Sequence, residues 1–338
     1  MFKQLVEWST QNYSYLPWRV NRSLYNTLVS EIMLQQTTVS TVINHFDSFI
    51  KKYPTIESLA AISEDQILKD WKGLGYYRRA RNLLGAAKQI QSEFQGAIPT
   101  DLEQLKSIKG IGDYTANAII AMGANERGLC VDANLERVLS RVYDIQNFKG
   151  PQLQKKIYKL FNDREICNEQ SELGARVYNE ALMDLGRSIC KARSVSCELC
   201  PLKSICKTFG KNPLSYPKLK DLDKKQKIFE LDLLRVIVLK QDKILAYKKN
   251  EKQWLTNQYE IPTFILHSED QSLVQYPHIV GEHFYNLPTF KSGITKYKIT
   301  NYVLYGDQKD LKELNKSFEL YDFEGLNLST ASLKSLKL

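Results

Sequence analysis

Apolar side chains recur along this chain with two different periods, and the change falls just after residue 206. Residues 24–50 carry them at near-helical spacing, with a break predicted across the Gln35–Gln36–Thr37–Thr38 run. More broadly, residues 1–100 read as helices joined by short polar turns. From Leu105 to Leu139 the pattern predicts a short helix, a tight turn and further helix. There Leu105, Ile108 and Ile111 share a buried face, and Ala116, Ala118 and Ala121 allow close packing. Gly110 and Gly112 flank Ile111, where a Cβ would obstruct the bend or a closely approaching ligand.

Residues 208–227 mix Pro, Gly and charges with little periodicity and read as a linker. Beyond it, residues 229–240 and 244–249 flank Gln241-Asp242-Lys243 as strand–turn–strand, and Ile294–Gly306 alternates as a further strand. A short helix is expected over residues 328–336. The fold class is therefore a mainly α first domain over residues 1–207 and an α+β second domain over 228–338, each of ordinary size.

Composition narrows the partners. The 338 residues include 47 basic and 38 acidic side chains, a net charge of +9, which favours a polyanion and is spread over both halves. No stretch approaches the roughly 20 apolar residues of a membrane span, and the N-terminus lacks the apolar core of a signal peptide. A soluble, cytoplasmic monomer is expected. Six cysteines in such a chain do not suggest a disulfide scaffold.

Four of them, Cys190, Cys197, Cys200 and Cys206, fall within a basic loop with the spacing C-x6-C-x2-C-x5-C. Four thiolates so close in sequence suit a metal centre; zinc is the generic competitor, although paired C-x2-C knuckles would favour it more and only one such pair is present. Cys130 and Cys167 read as buried thiols. Two carboxylates also stand out. Glu31 is hemmed by Leu24, Leu28, Ile32 and Leu34, a setting that raises a carboxyl's pKa and lets it hold a proton near neutrality, as a general acid requires. Asp132, in V-D-A-N-L-E-R-V, precedes a helix and fits an N-cap.

The Leu105–Ala124 stretch has the pattern of a helix-hairpin-helix motif, which grips DNA backbone at a helix N-terminus. Followed by Asp132 at this distance, it resembles the endonuclease III superfamily of DNA glycosylases. S-E-I-M-L-Q-Q-T-T-V narrows the resemblance to the MutY family of adenine DNA glycosylases. L-P-W-R (Leu16–Arg19), W-K-G-L-G-Y-Y-R-R-A-R-N-L (Trp71–Leu83), V-D-A-N and N-E-A-L-M-D-L-G (Asn179–Gly186) match in the same order.

The resemblance implies a partner, double-stranded DNA with an adenine mispaired with 8-oxoguanine or guanine. It also implies roles. Glu31 is the general acid, Asp132 stabilises an oxocarbenium-like sugar, and Tyr114 and Asn134 orient the carboxylates. Arg19, Gln36, Thr37 and Tyr76 would meet the DNA around the extruded base, and Gly110 and Gly112 its backbone. Arg78, Arg79 and Arg81 read equally as phosphate contacts or as a solvated face. The four cysteines would hold one four-iron, four-sulfur cluster in the loop 190–206. Tyr114 stands where bifunctional relatives carry the Schiff-base lysine, which implies a monofunctional enzyme. Trp254–Pro262 resembles the Nudix-like C-terminal domain of the family, without the glutamate cluster of Nudix catalysis. Its lesion-reading loop has its nearest match in Lys296, Tyr297 and Lys298. A thymine or uracil mismatch glycosylase of the same superfamily, and a non-catalytic iron–sulfur DNA-binding protein, remain as alternatives.

Overall fold

Small polar residues such as Ser23, Thr38, Thr55, Ser63, Asp101 and Asp132 start many of the helices. The computed structural model describes residues 2–217, 227–306, 318–324 and 326–338, and contains two units, Met1–Leu222 and Asp223–Leu338. The first holds α1 (Phe2–Tyr13), α2 (Pro17–Val20), α3 (Leu24–Leu34), α4 (Val39–Lys52), α5 (Ile56–Ala60), α6 (Glu64–Asp70), α7 (Arg78–Glu93), α8 (Leu102–Ser107) and α9 (Asp113–Ala118). They continue as a π-helix (Ile119–Ala124), α10 (Ala133–Val142), α11 (Pro151–Asn162), α12 (Gln170–Leu173) and α13 (Ala175–Ser188). Ser23 accepts from the Asn26 N–H to start α3, and Thr38 from the Thr41 N–H to start α4. The Gln35–Thr38 break is thus a short turn between two helices, as the sequence predicts.

In this unit α13 packs against α1, α10 and the π-helix; the Phe2 and Tyr178 rings stack at 4.9 Å, and Leu5, Leu135, Leu139, Leu182 and Leu185 are buried around them. The hairpin forms as expected: Leu105, Ile108 and Ile111 are buried. Gly110 has φ +85°, and a Cβ there would lie 2.6 Å from Asn82 Cβ, so only glycine fits. Gly112, exposed, has open space where its side chain would be.

The expected linker begins later than its composition suggests. Thr208 is buried, and the Arg141 guanidinium donates to the Tyr216 carbonyl at 3.0 Å, so residues 208–217 pack onto the helical unit. The remainder, except Lys227, lies outside the described residues.

The second unit contains β1 (Phe229–Ile237), β2 (Leu239–Lys240), β3 (Lys243–Lys248), β4 (Tyr259–Glu260), β5 (Thr263–Ser268), β6 (Thr289–Ile294), β7 (Tyr297–Tyr305), β8 (Glu319–Asp322) and α14 (Thr330–Ser335). One sheet has the order β5-β1-β7-β6, with β1 and β7 parallel and its other pairs antiparallel; in the other, β3 pairs with β2, β4 and β8. The predicted strand 229–240 divides at Val238. Leu233–Ile237 are buried on both faces, the signature of a central strand, while Leu239–Lys240 leave to pair with β3. Among the described residues no helix is long and apolar enough to cross a membrane.

Candidate active site

Glu31 lies on the last turns of α3, among Leu28, Ile32 and Met33, and is only 5% exposed. Across the hairpin, α9 presents Tyr114, whose hydroxyl donates to Glu31 Oε2 at 2.6 Å. Burial pushes the Glu31 carboxyl up to about 7; the Tyr114 bond opposes this, the charges of Asp132 and Glu180 add to it, and Arg19 draws it back. One oxygen is thereby engaged by a donor and the other is left to carry a proton.

Asp132 is the N-cap of α10. Its Oδ1 accepts the N–H groups of Asn134 (2.9 Å) and Leu135 (2.8 Å), and its Oδ2 accepts Asn134 Nδ2 (2.7 Å). Cap and reactive carboxylate are compatible roles, because capping fixes its orientation. Asn134 is itself held: its Oδ1 accepts from Arg137 Nη2 at 2.8 Å, and Arg137 also donates to the carbonyls of Gly186 and Cys190, each at 2.8 Å. Orientation of Asp132 thus runs back through one guanidinium to the start of the cysteine loop.

Glu31 opens onto a cavity also lined by Trp18, Arg19, Arg22, Met122, Glu180, Asp184 and Arg187. The site of Arg19 departs from the sequence reading. Its side chain is 7% exposed and pairs with Asp184 at 2.8 Å and Glu180 at 3.6 Å, so it forms cavity wall rather than duplex-facing surface. Arg22 pairs with both Glu180 oxygens, and Ser9 and Arg187 complete Asp184 at 2.6 and 3.0 Å. Sequence reasoning did not single out Glu180 and Asp184 as site residues. The available signal was their i,i+4 spacing on one helix face, with two arginines three residues apart early in the chain to match them.

Two turns stand near this end of α3. Gln36 is exposed at φ +54°, and Tyr76 is 62% exposed at φ +45°, a left-handed conformation that costs a non-glycine residue energy. Tyr77, by contrast, is buried. Arg79 corrects a phosphate or solvated-face reading. It is 6% exposed, and donates to the carbonyls of Ile32, Met33, Leu74 and Gly75 and to Thr37 Oγ1. Thr37 is spent internally on the same turn, its hydroxyl facing the Leu74 carbonyl at 3.3 Å. Arg81 pairs with Glu64 at 2.7 Å, and Arg78 is exposed.

In the second unit Tyr297 is not a surface residue. As the first residue of β7 it is 7% exposed, its ring packs on Trp254 at 5.0 Å, and its hydroxyl donates to Asp270 at 2.6 Å. A ring so enclosed cannot stack on a base. Lys296 pairs with the same Asp270 at 2.8 Å, Lys298 is exposed near Glu230, and the β6–β7 turn peaks at exposed Thr295.

Cys190, Cys197, Cys200 and Cys206 border one cavity with Arg141, although no three His, Cys, Asp or Glu side chains among the described residues converge on a single-ion site. Arg141 Nη1 donates to Cys190 Sγ at 3.2 Å, and Cys206 Sγ meets Thr208 Oγ1 at 3.4 Å. Cys130 and Cys167 are buried thiols, as expected.

Residues 29–163 match the HhH-GPD superfamily of base excision DNA repair proteins. The adenine DNA glycosylase of Buchnera aphidicola subsp. Schizaphis graminum is 35% identical over 78% of this chain and 75% of its own length. That of Buchnera aphidicola subsp. Baizongia pistaciae is 39% identical over 59% of this chain, which spans 55% of that relative. A solved thermostable thymine-DNA glycosylase superposes with a TM-score of 0.53 at 26% identity, covering 62% of this chain and 94% of the other. On the match over residues 29–163 and the 35% identity to a relative covered over 75% of its length, the chain belongs to the adenine DNA glycosylases of the HhH-GPD base excision repair superfamily.

Proposed function

We propose that this protein is a monofunctional glycosylase that hydrolyses the N-glycosidic bond of adenine opposite 8-oxoguanine or guanine in duplex DNA. The observation that carries the reading is Glu31: a carboxyl buried on a cavity wall, pushed up to about 7, with Tyr114 donating to one oxygen only. Adenine is a poor leaving group as an anion, and protonation of its imidazole-ring nitrogen by Glu31 removes that difficulty. A positioned acid is worth roughly 10²–10⁴-fold. As the bond lengthens, positive charge develops on the sugar, and Asp132, fixed by three N–H donors, stabilises it. Glu31, now ionised, then activates the attacking water. Trp18, Arg19 and Glu180 supply flat and polar walls for the extruded base. Tyr114 cannot form a Schiff base, so no strand nicking follows.

Gln36 and Tyr76 are the exposed groups of this unit placed to enter the gap left by the base, and the hairpin glycines leave backbone open to phosphate. In the second unit, lesion reading passes from Tyr297 to Lys298 and the Thr295–Lys296 tip. The four cysteines fit one four-iron, four-sulfur cluster: they share a cavity, and Arg141 supplies a donor to sulfur there. Burial and the neighbouring thiols push Cys200 up to about 11, a cost that a cationic iron core reverses. Held by Cys190, Cys197, Cys200 and Cys206, such a cluster would brace the basic loop 190–206.

Single-turnover base release tests the reading, using duplexes with adenine opposite 8-oxoguanine, adenine opposite guanine, and a thymine–guanine mismatch. Fast adenine release, lost by about 10³-fold or more in Glu31→Gln, is expected. Thymine release instead, or none from any duplex, overturns it.

A further inference from the structure

Arg187 stands on the last turn of α13, directly after the Asn179–Gly186 segment, and borders the cavity onto which Glu31 opens. Two contacts hold its side chain. Nε donates to Asp184 Oδ1 at 3.0 Å, and the guanidinium carbon lies 4.1 Å from the centre of the Tyr13 ring. Tyr13 is itself braced edge-on by Trp8 at 5.6 Å, and its carbonyl accepts from Arg19 at 3.4 Å. A guanidinium stacked on a ring and fixed at Nε keeps its terminal nitrogens for another partner. Nη2 is buried and, among the described residues, has none.

The other arginines bordering this cavity are already engaged. Arg22 gives both terminal nitrogens to Glu180, and Arg19 donates to Asp184 Oδ2 at 2.8 Å. Asp184 therefore serves two guanidinium groups, and Ser9 donates to it at 2.6 Å. While Glu31 holds its proton, three cations border the cavity against the two carboxylates Glu180 and Asp184. An uncompensated cation opposes a reaction in which positive charge develops on the sugar. It suits an anion that arrives with the substrate. In DNA that anion is a phosphodiester, whereas adenine offers only neutral acceptors. The Arg187 side chain is 29% exposed against 7% for Arg19, which puts it toward the opening, where a strand passes, rather than where a base is enclosed.

We propose that Arg187 binds a backbone phosphodiester next to the extruded adenosine, through the terminal nitrogens that Asp184 and Tyr13 leave free. The proposal rests on the glycosylase reading above. The stack on Tyr13 fixes the plane of the guanidinium before DNA arrives, so little ordering of this side chain is needed on binding.

The test uses the full chain with Glu31→Gln, which keeps the adenine in place, and adds Arg187→Ala, Arg187→Gln or Arg187→Lys. Dissociation constants are measured over about 50 to 200 mM salt for adenine–8-oxoguanine duplexes. The phosphate immediately 5′ or 3′ of the adenosine is replaced, one at a time, by a neutral methylphosphonate. With the natural backbone, Arg187→Ala weakens binding about tenfold and lowers the slope of log Kd against log salt by roughly one; Arg187→Lys keeps the slope. One of the two neutral linkages weakens the Arg187 protein by a similar factor and leaves Arg187→Ala unaffected. Arg187→Gln, which removes the charge but keeps a flat amide beside Tyr13, repeats this cycle. A duplex with a tetrahydrofuran abasic site in place of the adenosine shows the same dependence on Arg187, because the contact does not need the base. The proposal is overturned when neither neutral linkage weakens the Arg187 protein, a result that requires no Arg187 variant to fold. Equal weakening of the Arg187 protein and its uncharged variants overturns it as well, and so does loss of the Arg187 dependence on the abasic duplex, which marks a base contact. An Arg187 protein that binds the adenine mispair no more tightly than a fully matched duplex defeats the glycosylase reading, and this contact with it.

Discussion

Each unit of this protein buries a glutamate, and the two are driven in opposite directions. Glu31 is 5% exposed and Glu260 1%. Among the described residues Glu31 has one hydrogen-bond partner, the neutral Tyr114, and two like charges nearby, so desolvation wins and the carboxyl is pushed up to about 7. Glu260 suffers the same desolvation, but Arg235 and Lys249 both pair with it. Tyr276 (3.4 Å), Ser329 and Ser332 (2.7 Å each) add hydroxyl donors, and its pKa is held far below the usual carboxylate range. Burial alone does not make a general acid. Burial without a dedicated cation raises the pKa to where a carboxyl can hold a proton near neutrality.

The largest effect follows from removing the proposed proton donor. Glu31→Gln should cost about 10³-fold or more in base release, and it should also stabilise the helical unit. The sign is as follows: a carboxyl whose folded pKa is raised contributes stability that is fully present below its unfolded value of 4.5 and lost as pH rises through about 7. Above pH 7 the wild type buries an anion and the amide does not. Denaturant unfolding at pH 8 should therefore show a gain on the order of 1–3 kcal/mol, absent at pH 4.5. A loss of stability at pH 8 would contradict the assignment of Glu31 as a strained, functional group.

Glu260→Gln should do the reverse. It leaves Arg235 and Lys249 buried without an anion, which costs roughly 3–5 kcal/mol in the second unit. In the wild type, the depressed pKa makes the Glu260 contribution present above the unfolded value and lost as pH falls below the ordinary glutamate range. Acid unfolding followed by protease sensitivity within residues 227–338 reports this. An unchanged acid midpoint in the variant would show that the network is not held by charge.

A smaller and finer effect is expected at Tyr114. Its bond favours ionised Glu31, so Tyr114→Phe should move the descending limb of the rate profile from about 7 to higher pH, by up to about one unit. A shift downward, or none with a reduced plateau, would mean that Tyr114 acts by orienting substrate rather than by tuning the acid.

The asymmetry between the two glutamates also explains what the sequence made legible. Glu31 sits in a local apolar run, so its desolvation was visible in the residues beside it; Asp132 declared itself as a cap before a helix, and the cysteines by spacing. The Glu260 network was not visible, because Arg235, Lys249, Tyr276 and Ser332 come from different elements spread over about a hundred residues. Arg79 escaped for a related reason: among three arginines within four positions, helical period does not say which one turns inward. Tyr297 was within reach. It shares the inward register of Ile299, Asn301 and Val303 in β7, and strand alternation puts it in the core once the strand is taken to begin there.

The smallest effect separates a network from a pair. Ser332, on α14, donates to Glu260 Oε1 at 2.7 Å and accepts the Ile261 N–H at 3.3 Å. It is one of five donors to that carboxylate, so Ser332→Ala should leave Glu260 ionised and cost about 1–2 kcal/mol, chiefly for the unpartnered N–H. The acid midpoint of the second unit should then move little, while its thermal midpoint falls by a few degrees. If instead this hydroxyl were essential to the ionised state, both midpoints would move together, as in Glu260→Gln. Among the described residues Tyr114 is the only hydrogen-bond donor to Glu31, and its removal is read in pH; Ser332 shares its carboxylate with four others, and its removal is read in stability.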